Sequence, residues 1–194
     1  MGSSKFIFSK CFSFVGEPGA ALVARGGVLF LGVDPAFKRI ARGQASSSII
    51  LHPNSRLVVD GSFALLPGST IIVGNGAELR IGNNSRIGKN NTVICNNRMV
   101  IGENFISSWG CSMIDWDGHS LQNLAGEKRK FKKRLEIGSN VSIQMNSVIP
   151  SGGIVEDGAS IGPNVVLRKN IPSNSYVYQV SELKFKTGIK PCRD

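Results

Sequence analysis

The stretch IGSNVS-IQMNSV-IPSGGI-VEDGAS-IGPNVV-LRKNIP, residues 137–172, divides into six hexapeptides. Their first positions are Ile137, Ile143, Ile149, Val155, Ile161 and Leu167, all aliphatic and five of them β-branched. Their fifth positions are Val141, Ser147, Gly153, Ala159, Val165 and Ile171, mostly small. Self-similarity at a fixed period marks a solenoid, and a period of six marks a β-helix. Each hexapeptide reads as a short strand plus a turn. The aliphatic residue points inward and stacks on its counterpart one coil away, at roughly 4.8 Å. Asn and Gly between the strands tolerate the left-handed backbone angles that such turns require.

The same register runs back toward the N-terminus with slips. Ile81, Ile87 and Val93 are six apart, whereas Val93 to Ile101 is a step of eight. Val59, Leu65, Val73 and Ile81 step by six, eight and eight. Two-residue insertions at the corners account for these slips on sequence grounds. A β-sandwich of short strands is the competing reading. Alternation of period two would not enforce a period of six. The expected architecture is therefore all-β: a β-helix over residues 49–172, with a loop excursion at about 116–134. Residues 1–48 are expected to form an N-terminal capping region, with GGVLFLGV (26–33) as a strand that joins or caps the first coils. Residues 173–194 are expected to form a C-terminal cap or tail, since solenoid ends otherwise expose strand edges.

The chain has 194 residues, enough for one domain with a real core. A net charge of +10 points to an anionic partner of some kind. The charge is uneven: EKRKFKKR, residues 127–134, holds six cations and one Glu. A single aromatic residue, Phe131, stands among these cations, too few for a series of base-stacking platforms, which argues against nucleic acid. An acidic polysaccharide, the phosphates of a cofactor and plain solvation remain open for the run. The four cysteines, Cys11, Cys95, Cys111 and Cys192, show no metal spacing and read as free thiols of a reducing compartment. No apolar run is long enough to span a membrane. KFIFSKCFSFV near the start is interrupted by Lys10, and no small-residue cleavage site follows. The expectation is a cytoplasmic protein, with the inner membrane surface as an anionic neighbour compatible with its charge.

Between Met113 and Leu135 the repeat vanishes. MIDWDGHSL, residues 113–121, stands at that break and holds His119, one of two histidines in the chain. Long loops on a regular scaffold are commonly functional. Asp115 and Asp117 precede His119, each of them also a plausible turn former. His52, in ILHPNS, reads as a corner residue. Cys111 invites a Cys–His reading, but a small buried thiol inside the repeat explains it better.

The hexapeptides, the excursion and IGENFISSWGCSMIDWDGHSL (101–121) together resemble the left-handed β-helix acetyltransferases, and within them the sugar and polysaccharide O-acetyltransferases. The likeness covers residues 57–178. It implies a left-handed parallel β-helix, acetyl-CoA as co-substrate without a metal, a carbohydrate acceptor, and a homotrimer with the donor groove between subunits. It implies His119 as the general base, in the family's D-x-D-x-H context, with Asp117 and Asp115 in support. The chemistry suits the residue: a neutral imidazole near pH 7 can take the proton of an attacking hydroxyl and pass it to the departing thiolate. A carboxylate can hold the ring in one tautomer.

The family's GAGSVVTK-like stretch corresponds to GPNVVLRK (162–169). The resemblance therefore implies Gly162, Arg168 and Lys169 as donor contacts, with Lys184 a weaker one. Ser142 stands where the family often carries the Trp of V-W-I-G, because this chain reads VSIQ at 141–144. YQVSEL (178–183) replaces the family's A-G-N-P-A-K. Two rival functions stay open: N-acetylation of an amino sugar or nucleotide sugar, and a non-catalytic β-helix scaffold whose donor groove is lost. The β-helix carbonic anhydrases, which need three histidines around zinc, are excluded by the histidine count.

Overall fold

The computed structural model describes residues 3–35, 45–116, 134–167 and 169–180. Among them the only regular elements are strands, and every pairing is parallel. The chain visits three sheets in strict rotation, A, B, C, A, B, C, which is the signature of a β-helix; its hand is left, as the resemblance implies.

The first coil holds β1 (Lys5–Phe8), β2 (Phe12–Gly16) and β3 (Ala21–Ala24). The second holds β4 (Val28–Leu31), β5 (Ser47–Leu51) and β6 (Arg56–Val59), and the third β7 (Phe63–Leu65), β8 (Thr70–Val73) and β9 (Glu78–Ile81). The fourth holds β10 (Ser85–Ile87), β11 (Thr92–Cys95) and β12 (Arg98–Ile101). The fifth holds β13 (Ile106–Ser107), β14 (Ser112–Ile114) and β15 (Arg134–Ile137). The sixth holds β16 (Ser142–Ile143), β17 (Val148–Ile149) and β18 (Ile154–Val155). Above it lie β19 (Ser160–Ile161), single bridges at Val166 and Ile171, and β20 (Tyr176–Val177).

The winding begins at β1, well before residue 49. β1, β2 and β3 pair with β4, β5 and β6 and so belong to the helix itself. Their period is masked because the first coil is covered on one side only. Phe6, Phe8 and Phe14 are exposed there, so the pattern of inward aliphatic residues is weak. At the other end β20 still pairs with β19, so sheet A runs on to Val177.

The core is a set of vertical columns. In sheet A the inward positions include Leu31, Leu65, Ile87, Ser107, Ile143 and Ile161, all nearly solvent-free. Each buried aliphatic side chain contributes on the order of 1.5–3 kcal/mol relative to exposure. The one hydroxyl in that column, Ser107, accepts hydrogen bonds from Asn91 Nδ2 (2.6 Å) and Gly88 N (3.1 Å), as a buried polar atom must.

The slips have a different cause from the corner insertions expected. Register partners Ile143 and Ile161 are 18 residues apart, whereas Ile49 and Ile71 are 22 apart. The step from Val73 to Ile81 is a four-residue corner followed by the four-residue strand β9. Both Leu79 and Ile81 face inward from it. The extra pair thus lengthens the strand and leaves the corner alone, which widens the core of the early coils. Corners use Asn at positive φ (Asn54, Asn84, Asn90, Asn104, Asn140, Asn146, Asn164, Asn174). The recurrent Ile-Gly pairs have a steric origin. A Cβ on Gly102 would lie 2.5 Å from the carbonyl carbon of Gly138 in the next coil.

Candidate active site

The excursion leaves the helix at the corner between sheets B and C. Asp115, the residue after β14, occupies the next inward position above Leu51, Val73 and Cys95. It is 1% exposed. Its carboxylate accepts hydrogen bonds from the backbone N–H of Asn96 (2.6 Å) and Asn97 (2.9 Å). These charge-assisted bonds account for a carboxylate in an otherwise apolar column. They also tie the start of the excursion to the corner one coil below.

Cys95 sits under Asp115 and is fully buried; its thiol donates to the Glu78 carbonyl at 3.3 Å. Burial pushes the thiol up first, and the neighbouring Asp115 charge and hydrogen bond push it further. It is a protonated, inert group. Cys111 is likewise buried, donates to the Gln144 carbonyl at 3.1 Å and is raised by burial. The reading of Cys111 as a buried thiol agrees with this geometry. Cys11 is exposed, and all three are free.

Above the Asn96–Asn97 turn, Trp116 is 42% exposed. With Asn75, Asn96, Asn97 and Asp115 it lines a depression of 330 Å³. Asp117 and His119, the next candidates along the chain, lie outside the described residues, as do Arg168 and Lys184. Higher on the same corner a second depression of 420 Å³ is lined by Pro150, Ser151, Gly152, Gly153, Leu167, Lys169 and Asn170. Lys169 is exposed there. The Ser151 hydroxyl is shielded from solvent and has no hydrogen-bond partner among the described residues. Sequence reasoning passed over Ser151, which looks like an ordinary turn serine in IPSGG; only the packing shows that its donor is unused.

Ser142 and Gly162 lie elsewhere. Ser142 faces out from sheet A, half-buried, with its Oγ 2.7 Å from Ser160 Oγ. Gly162 follows β19 and enters the corner between sheets A and B. Its N–H donates to the Val177 carbonyl (2.7 Å), and its carbonyl accepts from Ser147 Oγ (2.8 Å). A Cβ there would lie 2.9 Å from the Val177 oxygen. The candidates therefore fall on two edges of sheet B. Asp115 and Lys169 stand on one; Gly162, with Ser142 behind it, stands on the other. One copy of the chain does not bring the two sets together.

His52 lies at the B-to-C corner of the second coil, as expected of a corner residue, with Nδ1 2.9 Å from Glu17 Oε1. Of the basic run only Arg134 is described; it is exposed and paired with Glu136. Among the described residues no group of His, Cys, Asp and Glu is arranged to hold a metal, and no helix is long and apolar enough to cross a membrane.

No protein-family model and no curated protein matches the chain. Among solved structures, the crystal structure of the polySia specific acetyltransferase NeuO matches with a TM-score of 0.58 and 20% identity. The match covers 84% of this chain and 74% of that one. At this identity the likeness establishes a shared fold.

Proposed function

We propose that the chain is an acetyltransferase that moves the acetyl group of acetyl-CoA to a hydroxyl of a surface-polysaccharide sugar. One observation carries the reading: Asp115, the first residue of the DWDGH segment, is a buried carboxylate that holds the corner of the β-helix at which that segment begins. The fold shared with the acetyltransferase NeuO supports it. In this reading His119, three residues along the chain from Trp116, takes the proton of the acceptor hydroxyl as its oxygen attacks the thioester carbon. It then delivers that proton to the thiolate of coenzyme A. Asp117 orients the imidazole, and Asp115 holds the corner from which both residues extend. General-base catalysis of this kind is worth about 10²–10⁴-fold.

The donor site fits a polar, anionic ligand on one count: Lys169 and the unused Ser151 hydroxyl share a depression on the same corner as Asp115. Arg168 and Lys184 complete the phosphate contacts in this reading, and Gly162 and Ser142 face the donor from a neighbouring copy. A homotrimer closes the site, because the two sets of residues stand on opposite edges of sheet B. The composition of sheet B supports its burial between copies. Its strands contain no charged residue, and its outward row reads Val15, Ile50, Ile72, Ile94, Ile114. A cytoplasmic location follows from the need for acetyl-CoA.

Calorimetric titration with acetyl-CoA tests the donor without knowledge of the acceptor. Micromolar binding at one site per chain is the expected result, followed by loss of transfer in His119→Ala. Absence of binding at millimolar acetyl-CoA would sink the proposal and leave the scaffold reading.

A further inference from the structure

The charge that sheet B lacks is concentrated on sheet C. Arginine occurs once in each of five successive coils on that face. Arg25 follows β3, and Arg56, Arg80, Arg98 and Arg134 lie on β6, β9, β12 and β15. All five are exposed, and the strands of the face carry no lysine and no aromatic residue. At roughly 4.8 Å per coil the ladder is about 19 Å long. Register puts Arg56, Glu78, Arg98 and Arg134 in one vertical row.

Ion pairs account for only part of this charge. Arg25 and Arg80 share the single carboxylate of Asp60, at 3.4 and 2.7 Å. Arg134 is neutralised by Glu136. Arg56 and Arg98 have no ion-pair or hydrogen-bond partner among the described residues, although Glu78 stands between them in the row. Two guanidinium forks, two coils apart on a rigid sheet, thus point to solvent. Arg134, the last residue of the basic run, opens β15 on this face.

We propose that sheet C is the docking track for the acceptor, and that the acceptor is an acidic polysaccharide whose carboxylates meet the arginine ladder along the helix axis. Arginine presents a planar fork that binds a carboxylate through two parallel hydrogen bonds, so a face of arginines alone suits carboxylates better than a diffuse lysine patch does. A single-stranded nucleic acid would call for aromatic stacking platforms among the cations, and the strands of sheet C offer none. Sheet C meets sheet B at the corner that holds Asp115 and Trp116, so a chain bound along the ladder passes beside the candidate active site. The inference rests on the acetyltransferase reading for the word acceptor, but the binding it predicts needs no donor.

The test uses the full chain and immobilised polygalacturonate and polysialate, each with one carboxylate per sugar. Neutral dextran and a thymidine oligonucleotide serve as comparisons. Affinity is read as a function of salt. Wild type is expected to bind both acidic polymers and not dextran. The double variant Arg56→Gln, Arg98→Gln should bind at least about tenfold more weakly at low salt, with a log–log salt slope shallower by roughly one per arginine removed. Both residues are exposed, so an unchanged circular dichroism spectrum is expected of the variant. A separate variant with Lys130, Lys132 and Lys133 changed to Gln separates the excursion from the ladder. If that variant abolishes binding while the arginine variant retains it, the track is not sheet C. If neither acidic polymer binds at low salt, or if the oligonucleotide binds more tightly than both, the acidic-glycan assignment is overturned. Polymer binding without acetyl-CoA binding would defeat the catalytic reading and leave the track standing; the reverse pattern would do the opposite.

Discussion

Asp115 lies one coil above Cys95 in the same inward column, and its carboxylate bonds to the two backbone N–H groups that immediately follow that cysteine. A thiol, an acid and a turn are thereby locked into one unit at the root of the excursion. The arrangement replaces the Leu51–Val73 pattern of the lower coils with polar groups at the corner between β14 and β15.

Removing the acid leaves two backbone donors without their partner. We expect Asp115→Ala to destabilise the protein by roughly 2–4 kcal/mol and Asp115→Asn by less, since the amide oxygen still accepts one bond. Urea unfolding of the two variants checks this. Equal stability of Asp115→Ala and wild type would show that the carboxylate does not hold the corner.

The buried thiols make stability fall at high pH. Cys95 and Cys111 are both raised above their ordinary value of 9.0, so the unfolded chain loses their protons before the native state does. Their contribution is complete below pH 9 and declines above it, by up to about 1.4 kcal/mol per pH unit for each thiol. Cys95→Val, which extends the Leu51–Val73 column, should unfold with a shallower pH slope between pH 9 and 10.5 than wild type. Identical slopes would contradict the assignment.

The approach of successive coils at Gly102 forbids a side chain. Gly102→Ala sets a methyl 2.5 Å from backbone on the next coil, and both segments are held by ladder bonds. A loss of about 1–3 kcal/mol is expected by thermal or urea unfolding. Asn104→Gly, at a corner with φ of 53°, should be nearly neutral by comparison.

Sheet B decides the proposed assembly. Ile72 and Ile94 are register partners in its outward row, both half-buried in the single chain. Placing Asp at both positions should convert a trimer to monomers in light scattering after size exclusion, with the β-rich spectrum retained. A double variant that stays trimeric would move the interface to another sheet.

The period of six and the inward aliphatic residues, Ile137 through Leu167, determined by themselves that this chain winds into a β-helix. A solenoid is built from local repeats, so its architecture is written in nearest-neighbour spacing. The break at MIDWDGHSL located the corner of interest by the same logic. Three things were decided only in three dimensions. The N-terminal coil has one covered side, so its pattern is too weak to read, and only its pairing with β4, β5 and β6 reveals it. The work of Asp115 depends on donors nearly twenty residues away in sequence but one coil away in space. The separation of an uncharged sheet B from an arginine-bearing sheet C appears only when residues some twenty apart are stacked, because a sheet's outer face is assembled one or two residues per coil.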